Sequence, residues 1–185
     1  MILPIYVYGH PILRKVSKDI TMDYPNLDKL ILDMFVSMDE SDGVGLAAPQ
    51  IGKNIRLFVV EGTPFADLDP SIVGFRKAFI NAHIIERSNT EIIRSEGCLS
   101  VPGIHEEVSR PDKITMSYLD ANGESHKEEF SGIRAWIIQH EYDHLEGILF
   151  VDHVSPLRKR ILKGKLARIS TGKINVHYRI VVPRK

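Results

Sequence analysis

The sequence predicts an α+β fold in which antiparallel β-sheets pack around a central helix that carries metal-binding residues. Three patterns predict it: a one-sided apolar stripe typical of a helix, apolar alternation with a hairpin signal in the middle of the chain, and a second helical pattern with two histidines. The chain has 185 residues, of which 43% are hydrophobic and 26% charged. This size and composition are typical of one globular unit, so residues 1–185 are predicted to form a single domain.

The first helix is predicted at about 25–41. Its stripe consists of apolar residues three or four positions apart, namely Leu27, Leu30, Ile31, Met34, Phe35 and Met38. Pro25 suits the first turn of a helix, and the Ser-Asp-Gly sequence at 41–43 ends it. Farther along the chain, residues 55–60 are typical of a buried strand and residues 78–87 of a second extended segment.

A β-hairpin is predicted in the middle of the chain. Ile114, Met116 and Tyr118 alternate with polar residues. Asn122-Gly123 is a strong signal for a tight turn, so residues 124–130 are predicted to return as the partner strand. The middle of the chain is therefore predicted to be antiparallel β-structure.

A second helix is predicted to begin near Ser131 and to contain His140-Glu141-Tyr142-Asp143-His144. Histidines four positions apart project from the same helical face and can share one metal ion, while Glu141 can reach a water molecule on that ion. The alternative is a pair of surface histidines. An inward orientation is favoured because the same face carries the apolar residues Ile133, Trp136 and Ile137.

A third ligand must come from elsewhere, because catalytic zinc-type sites use three protein ligands and a water molecule. Cys98 is the strongest candidate, since Gly97 beside it permits close backbone approach. A lone cysteine is more often a small buried apolar residue, but the metal motif in the same chain favours a ligand. A thiolate with two imidazoles suits iron, zinc, cobalt or nickel. The weaker candidates are His10, His83, His105, His126, His153 and His177.

The segment 43–50, Gly-Val-Gly-Leu-Ala-Ala-Pro-Gln, has a spacing similar to that of a dinucleotide-binding loop. Its context argues against that function, because such a loop follows a strand and opens a helix, whereas this one follows a helix and meets Pro49. It is predicted to be a small-residue loop that lets a ligand approach the backbone, with the Gln50 amide as a hydrogen-bond donor. Taken alone, the segment favours the alternative of a tight buried connection.

Together, the three motifs resemble those of the peptide deformylase family. The matching positions are Gly43, Gly45, Leu46, Ala47, Ala48, Gln50, Glu96 to Ser100, Gln139, His140, Glu141, Asp143, His144, Leu145 and Gly147. The resemblance extends to residues 9–14 and 145–156 and to the overall length. It implies a bacterial metal-dependent hydrolase that removes the formyl group from the N-terminal methionine of nascent proteins and releases formate.

The resemblance also implies roles for individual residues. The metal ligands would be Cys98, His140 and His144. Fe²⁺ is the usual ion in the family, and Zn²⁺, Ni²⁺ or Co²⁺ can substitute for it. Gln50 and the backbone N–H of Leu99 would stabilise the oxyanion, and Glu141 would transfer protons.

The substrate-binding residues implied by the family are Val44, Gly45, Glu96, Gly97, Ile133, Trp136 and Ile137. Gly45 would meet the substrate backbone. The positions that match the methionine pocket of the family are Val44, Glu96, Ile133, Trp136, Ile137 and His140. Arg94 departs from the family, in which an apolar residue is common at that position. Glu96 is expected to pair with Arg110 behind the site, the alternative being a weak surface salt bridge.

Two other functions share part of this pattern. A zinc metalloprotease also uses His-Glu-x-x-His, and a third ligand downstream of His144 would support it. A binding module with a structural metal would have a site closed by four protein ligands, whereas only three are identified here. Both alternatives are less favoured than the deformylase assignment, because neither explains the other two motifs.

The residues from about 158 to 185 form a basic extension with ten Lys and Arg and no Asp or Glu. A short basic helix after Ser155-Pro156 and a terminal strand over 174–182 are predicted in it. Its charge is typical of a solvated surface, and contact with ribosomal RNA is a second hypothesis. The sequence shows no membrane-spanning run and no targeting segment, which predicts a cytoplasmic protein without a membrane partner.

Overall fold

The computed structural model describes residues 1–183 and has the predicted α+β architecture. The α-helices within this range are α1 (Leu27–Glu40), α2 (Gly132–Leu145) and α3 (Pro156–Ser170). The strands are β1 (Ile5–Tyr6), β2 (Gly45–Ala47), β3 (Leu57–Glu61), β4 (Arg76–Arg87), β5 (Glu91–Glu96), β6 (Glu106–Pro111), β7 (Lys113–Leu119), β8 (Ser125–Ser131) and β9 (Ile180–Val181). None of the helices in residues 1–183 has the length and apolarity that crossing a bilayer requires.

Five strands form the main sheet in the order β2-β3-β4-β7-β8, and each neighbouring pair is antiparallel. The predicted hairpin is confirmed, because β7 and β8 pair from Lys113 opposite Ser131 to Leu119 opposite Ser125. Gly123 lies in the turn with a φ of 82°, a left-handed conformation that glycine adopts without strain.

The main sheet is covered by α2 on one face and by α1 on the other. In β3, Phe58 and Val60 belong to the apolar core that includes α2, whereas Leu57 and Val59 belong to the core that includes α1. Successive side chains of a strand point to opposite faces. Because both faces are buried, this strand is continuously apolar and does not alternate.

The remaining strands form two small sheets. Strands β5 and β6 pair in an antiparallel manner, and their charged sequences gave no apolar pattern from which to predict them. Strands β1 and β9 pair in parallel, with Ile5 opposite Ile180 and Tyr6 opposite Val181. This pair is the exception to the predicted antiparallel arrangement.

Two predictions for the C-terminal region are corrected by the structure. The terminal strand does not cover 174–182, because only Ile180–Val181 pair with another strand. The alternation in this segment instead reflects side chains such as Ile174 and Val182, which pack against the core without a neighbouring strand. The basic helix is not short, since α3 has 15 residues. Arg184 and Lys185, at the end of the predicted basic extension, lie outside the described residues.

The segment 43–50 is more ordered than the predicted loop. Gly45–Ala47 form β2, one of the two edge strands of the main sheet, and Ala48–Ile51 form a 3₁₀ helix. The small residues allow this edge to lie directly against α2. The segment therefore brings Gln50 to the same side of the sheet as the histidines.

Candidate active site

The three predicted metal ligands converge on one point. Cys98 follows the end of β5, and His140 and His144 lie on successive turns of α2. One ligand atom from each residue lies within 4.8 Å of the others, and Cys98 Sγ is 3.3 Å from His144 Nε2. The end of a small sheet and the middle of a helix thus form one cluster.

The cluster has the donor chemistry of a transition-metal site. Such ions bind cysteine sulfur at about 2.3 Å and histidine nitrogen at about 2.0–2.1 Å, and the spacing of the three donors suits these bond lengths. Burial, together with the neighbouring His140, lowers the pKa of His144 well below its usual value, which favours the neutral form that binds metals. Burial also lowers the pKa of His140, but hydrogen bonds to Cys98 and Glu96 outweigh it and raise that pKa. The anionic partners of His140 favour positive charge at the cluster, and the thiol with its two imidazoles fits a divalent metal ion.

Glu96 orients the first histidine. Its Oε2 lies 2.8 Å from His140 Nδ1, so the other ring nitrogen, Nε2, faces the cluster. The indole Nε1 of Trp136 donates a hydrogen bond to Glu96 Oε1 at 2.7 Å. A carboxylate behind a ligating histidine fixes the tautomer and orientation of the ring.

Glu96 is itself held by a buried ion pair. As expected, Arg110 pairs with it, donating from Nε and Nη2 to the two carboxylate oxygens at 2.5 and 2.9 Å. Only 4% of the Arg110 side chain and 1% of the Glu96 side chain are exposed, so the alternative of a surface salt bridge is wrong. Burial raises the pKa of Glu96, but hydrogen bonds from Arg110 and His140 outweigh it and hold that pKa at about 2. Arg110 Nη1 also donates to Asp143 on α2 at 2.8 Å.

Glu141 lies beside the cluster, and burial raises the pKa of its carboxyl group to about 7. Its Oε2 is a buried oxygen that finds no hydrogen-bond partner within residues 1–183. Gly45 packs directly against this carboxylate, and a Cβ atom at that position would overlap it. A buried carboxyl group with an unpaired oxygen and a pKa near neutrality has the properties of a general acid–base.

Gln50 is oriented by hydrogen bonds at both ends of its amide. The side-chain oxygen accepts from the Ala47 N–H at 2.8 Å. The amide nitrogen therefore faces Cys98 Sγ at 3.4 Å and Ser100 Oγ at 3.2 Å. Gln50 thus presents its N–H donors beside the cysteine, supported by a buried serine that the sequence motif contained but did not identify as part of the site.

A cavity of about 520 Å³ opens in front of these residues. The predicted residues that line it are Val44, Gly45, Gln50, Glu96, Gly97, Cys98, Leu99, Trp136, Ile137, His140 and Glu141. Two predicted site residues, Ile133 and His144, are not among the described residues that line this cavity. Ile133, in the first turn of α2, is buried in the apolar core, whereas His144 is a buried member of the ligand cluster. The predicted site residues are therefore brought together with one exception.

Several lining residues were not predicted from the sequence. They include Phe65, Ile104, Val176 and Tyr178. His105, a weaker candidate for the third ligand, lines the cavity but is not part of the ligand cluster. Phe65 packs edge-on against Trp136 with ring centroids 5.5 Å apart, a contact between distant segments that no local pattern encodes. The alternation around Tyr178 indicated an extended segment but gave no sign that it borders a cavity.

The family model for polypeptide deformylase matches residues 2–160. The chain belongs to this family. A peptide deformylase of Christiangramia forsetii is 52% identical over 190 residues, which cover 99% of this chain and 97% of that relative. A peptide deformylase of Cytophaga hutchinsonii is 47% identical over the full length of both chains.

Solved structures of the family have the same fold. The peptide deformylase of Legionella pneumophila has a TM-score of 0.80 at 35% identity, covering 94% of this chain and 98% of that one. That of Thermotoga maritima has a TM-score of 0.76 at 39% identity, covering 84% of this chain and 99% of that one.

Peptide deformylases are metal-dependent hydrolases that remove the N-terminal formyl group, and this chain is such an enzyme. The resemblance drawn from the three motifs is confirmed. The metalloprotease and binding-module alternatives are rejected, because the family model and the full-length relatives all identify a deformylase. The bacterial relatives also indicate a bacterial protein.

Proposed function

We propose that this chain deformylates N-formyl-methionyl nascent peptides at the cluster of Cys98, His140 and His144. The observation that carries the proposal is the convergence of these three donors beside a cavity and an unpaired carboxyl oxygen of Glu141. A divalent ion bound by the three ligands would supply Lewis acidity to a water molecule and to the formyl oxygen.

Glu141 is proposed to transfer the protons of the reaction. Its carboxylate accepts one proton from the water that attacks the formyl carbon. The resulting carboxyl group then gives that proton to the methionine nitrogen as the C–N bond breaks, so formate and a free amino terminus leave. A pKa raised by burial to about 7 suits a group that must both accept and donate a proton near neutrality.

The oxyanion that develops on the formyl oxygen is proposed to be bound by two N–H donors. They are the side-chain amide of Gln50 and the backbone N–H of Leu99. The hydrogen bond between Gln50 and the Ala47 N–H fixes the direction of the amide before substrate binds. A preorganised donor of this kind contributes about 3–4 kcal/mol to transition-state stabilisation.

The methionine side chain is proposed to bind in the apolar part of the cavity, against Val44, Trp136 and Ile137. The substrate backbone is proposed to run beside Gly45 and Gly97, which both line the cavity. Glu96 contributes by holding the Trp136 indole in place through its 2.7 Å hydrogen bond. Ile133 is buried in the apolar core and anchors α2, the helix that carries Trp136 and Ile137.

We infer that the native ion is Fe²⁺, because that ion is usual in the family, and that Zn²⁺, Ni²⁺ or Co²⁺ can substitute, because thiolate and imidazole donors suit all four. The test is formate release from formyl-Met-Ala-Ser by protein purified without oxygen and loaded with Fe²⁺. Unformylated and acetylated peptides are the controls. Release from the formyl peptide alone supports the proposal, whereas no release from a folded, metal-loaded sample contradicts it.

We further propose that the enzyme works in the cytoplasm and that α3 contacts the ribosome. The exposed cations on this helix are Lys159, Arg160, Lys163, Lys165 and Arg168. Arg158 differs from them, because it forms an ion pair with Glu106 at 2.6 Å. Contacts between such cations and RNA phosphates weaken as salt is raised.

Co-sedimentation with ribosomes tests this contact. Replacing Arg160 and Lys163 together by glutamate is expected to weaken co-sedimentation, while Lys127→Glu on β8, which changes the same type of residue on another surface, should have less effect. Equal co-sedimentation of the native and doubly substituted proteins contradicts the contact.

A further inference from the structure

The C-terminal segment holds the turn that follows Cys98. Within this turn, the Val101 N–H donates a hydrogen bond to the Cys98 carbonyl at 2.9 Å. The next carbonyl, that of Leu99, accepts a hydrogen bond from the Tyr178 hydroxyl at 2.8 Å. A side chain from the far end of the chain thus binds the backbone of the residue proposed to hold the oxyanion.

The tyrosine is supplied by an anchored stretch of backbone. The Ile5 N–H donates to the carbonyl of Arg179, directly after Tyr178, at 2.8 Å, and the two segments continue as the β1–β9 pair. Farther along the N-terminal segment, the Tyr8 N–H donates to the Ser100 carbonyl at 2.8 Å. The N-terminal and C-terminal segments therefore both donate hydrogen bonds to this turn, and the two segments pair with each other as β1 and β9.

We infer that Tyr178 is a positioning residue of the deformylase reaction, which fixes the turn that presents the Leu99 N–H to the formyl oxygen. The inference rests on the proposed function, because it requires that N–H to be an oxyanion donor. The Leu99 N–H belongs to the peptide whose carbonyl, that of Cys98, accepts from the Val101 N–H, and the Leu99 carbonyl belongs to the next peptide, which the Tyr178 hydroxyl holds. With both peptides held, the two backbone dihedral angles of Leu99 are restricted, so loss of the hydroxyl would let the N–H shift.

Small displacements of a catalytic hydrogen-bond donor lower the reaction rate strongly. Catalytic donors must lie within about 0.5 Å of their productive position, and a misplacement of about 1 Å can reduce a rate about a hundredfold. Tyr178 and Val176 also line the cavity. The C-terminal segment therefore forms part of the wall of the active-site cavity.

The test is Tyr178→Phe, which removes the hydroxyl and keeps the packing of the ring. The matched control is Tyr24→Phe, which removes the hydroxyl of a tyrosine that packs against the core beneath α1. Both variants are compared with the native enzyme for kcat and KM on formyl-Met-Ala-Ser, for metal content, and for hydrogen exchange of the amides at 98–101.

For Tyr178→Phe we expect kcat to fall about three- to tenfold, the range that corresponds to loss of one hydrogen bond. KM and metal content should not change, and exchange at 98–101 should become faster than in Tyr24→Phe. A native kcat in Tyr178→Phe, or a fall in kcat that follows loss of metal, overturns the inference. If the native enzyme itself releases no formate, the proposed function fails instead, which is a separate outcome.

Discussion

Glu141 has room for its carboxyl group only because Gly45 has no side chain. The glycine motif predicted close backbone approach to a ligand, but it did not predict contact with Glu141. That contact joins β2 to α2 across the tertiary structure, and no local spacing in the sequence encodes it. The close approach makes Gly45 a sensitive position.

We expect Gly45→Ala to lower kcat/KM about a hundredfold, because the added Cβ displaces the Glu141 carboxylate. Gly164→Ala is the matched control, since a Cβ on that α3 residue meets no atom within 4 Å. The control should keep full activity and gain slightly in stability, as alanine is favoured over glycine in helices. Native activity in Gly45→Ala would mean that the carboxylate has another position in which it functions.

Replacement of Glu141 separates catalysis from metal binding. Glu141→Ala is expected to keep its fold and its metal but to lose turnover by about 10²- to 10⁴-fold, the usual contribution of a general acid–base. Metal analysis and steady-state kinetics on the same sample provide the measurement. Loss of the metal in this variant would place Glu141 among the ligands, contrary to the proposed mechanism.

Replacement of Cys98, unlike that of Glu141, should remove the metal from the protein. Cys98→Ala leaves only His140 and His144 as ligands, so the purified protein is expected to retain almost no metal. The Glu141→Ala protein, prepared in parallel, is the control that keeps its metal. A full complement of metal in Cys98→Ala would show that another residue is the third ligand.

At the scale of secondary-structure elements, Arg110 forms a buried ionic link between α2 and the β5–β6 pair. Arg110 on β6 bridges Glu96 on β5 and Asp143 on α2. Because Glu96 also holds His140, this bridge links the position of the helix to the orientation of a metal ligand.

Arg110→Ala is expected to lower the free energy of unfolding by about 3–5 kcal/mol, because it leaves buried carboxylates without a counter-charge. Arg76→Ala is the matched control, since Arg76 also pairs with two carboxylates, Asp39 and Glu61, but is 37% exposed. Its loss should cost at most about 1 kcal/mol. Denaturant unfolding compares the two, and equal losses would contradict a special role for the buried bridge.

The elements that the sequence predicted well are those with a local signal. Helices α1 and α2 carry a helical period of apolar residues, and the β7–β8 hairpin has both alternation and a turn. Strands β5 and β6 lack such a signal, because each strand is stabilised by pairing with the other and by the buried ion pair of Arg110. The contribution of Val176 and Tyr178 to the cavity was also missed, since it arises from contacts with segments far away in the chain.

At the scale of the whole molecule, stability and metal binding are coupled. The three ligands come from the end of β5 and from α2, so only the folded chain brings them together. An ion that binds the folded state alone stabilises it by about 2.7 kcal/mol when its free concentration is 100 times Kd.

Removing the metal with a chelator is therefore expected to lower Tm by about 5–10 °C. Adding back Fe²⁺ or Ni²⁺ should restore it. Thermal unfolding followed by circular dichroism provides the measurement, and Cys98→Ala is the control in which the chelator should have no effect. An unchanged Tm in the native protein after complete metal removal would contradict the coupling.

The parallel pairing of β1 with β9 has a consequence for the order of folding. It joins segments separated by almost the whole sequence, and contacts of such long range carry a large loop-closure entropy and form slowly. The hairpin and helices can form from local contacts beforehand. During refolding, secondary structure should therefore appear before enzymatic activity, because the turn beside Cys98 is secured only when the two ends of the chain meet.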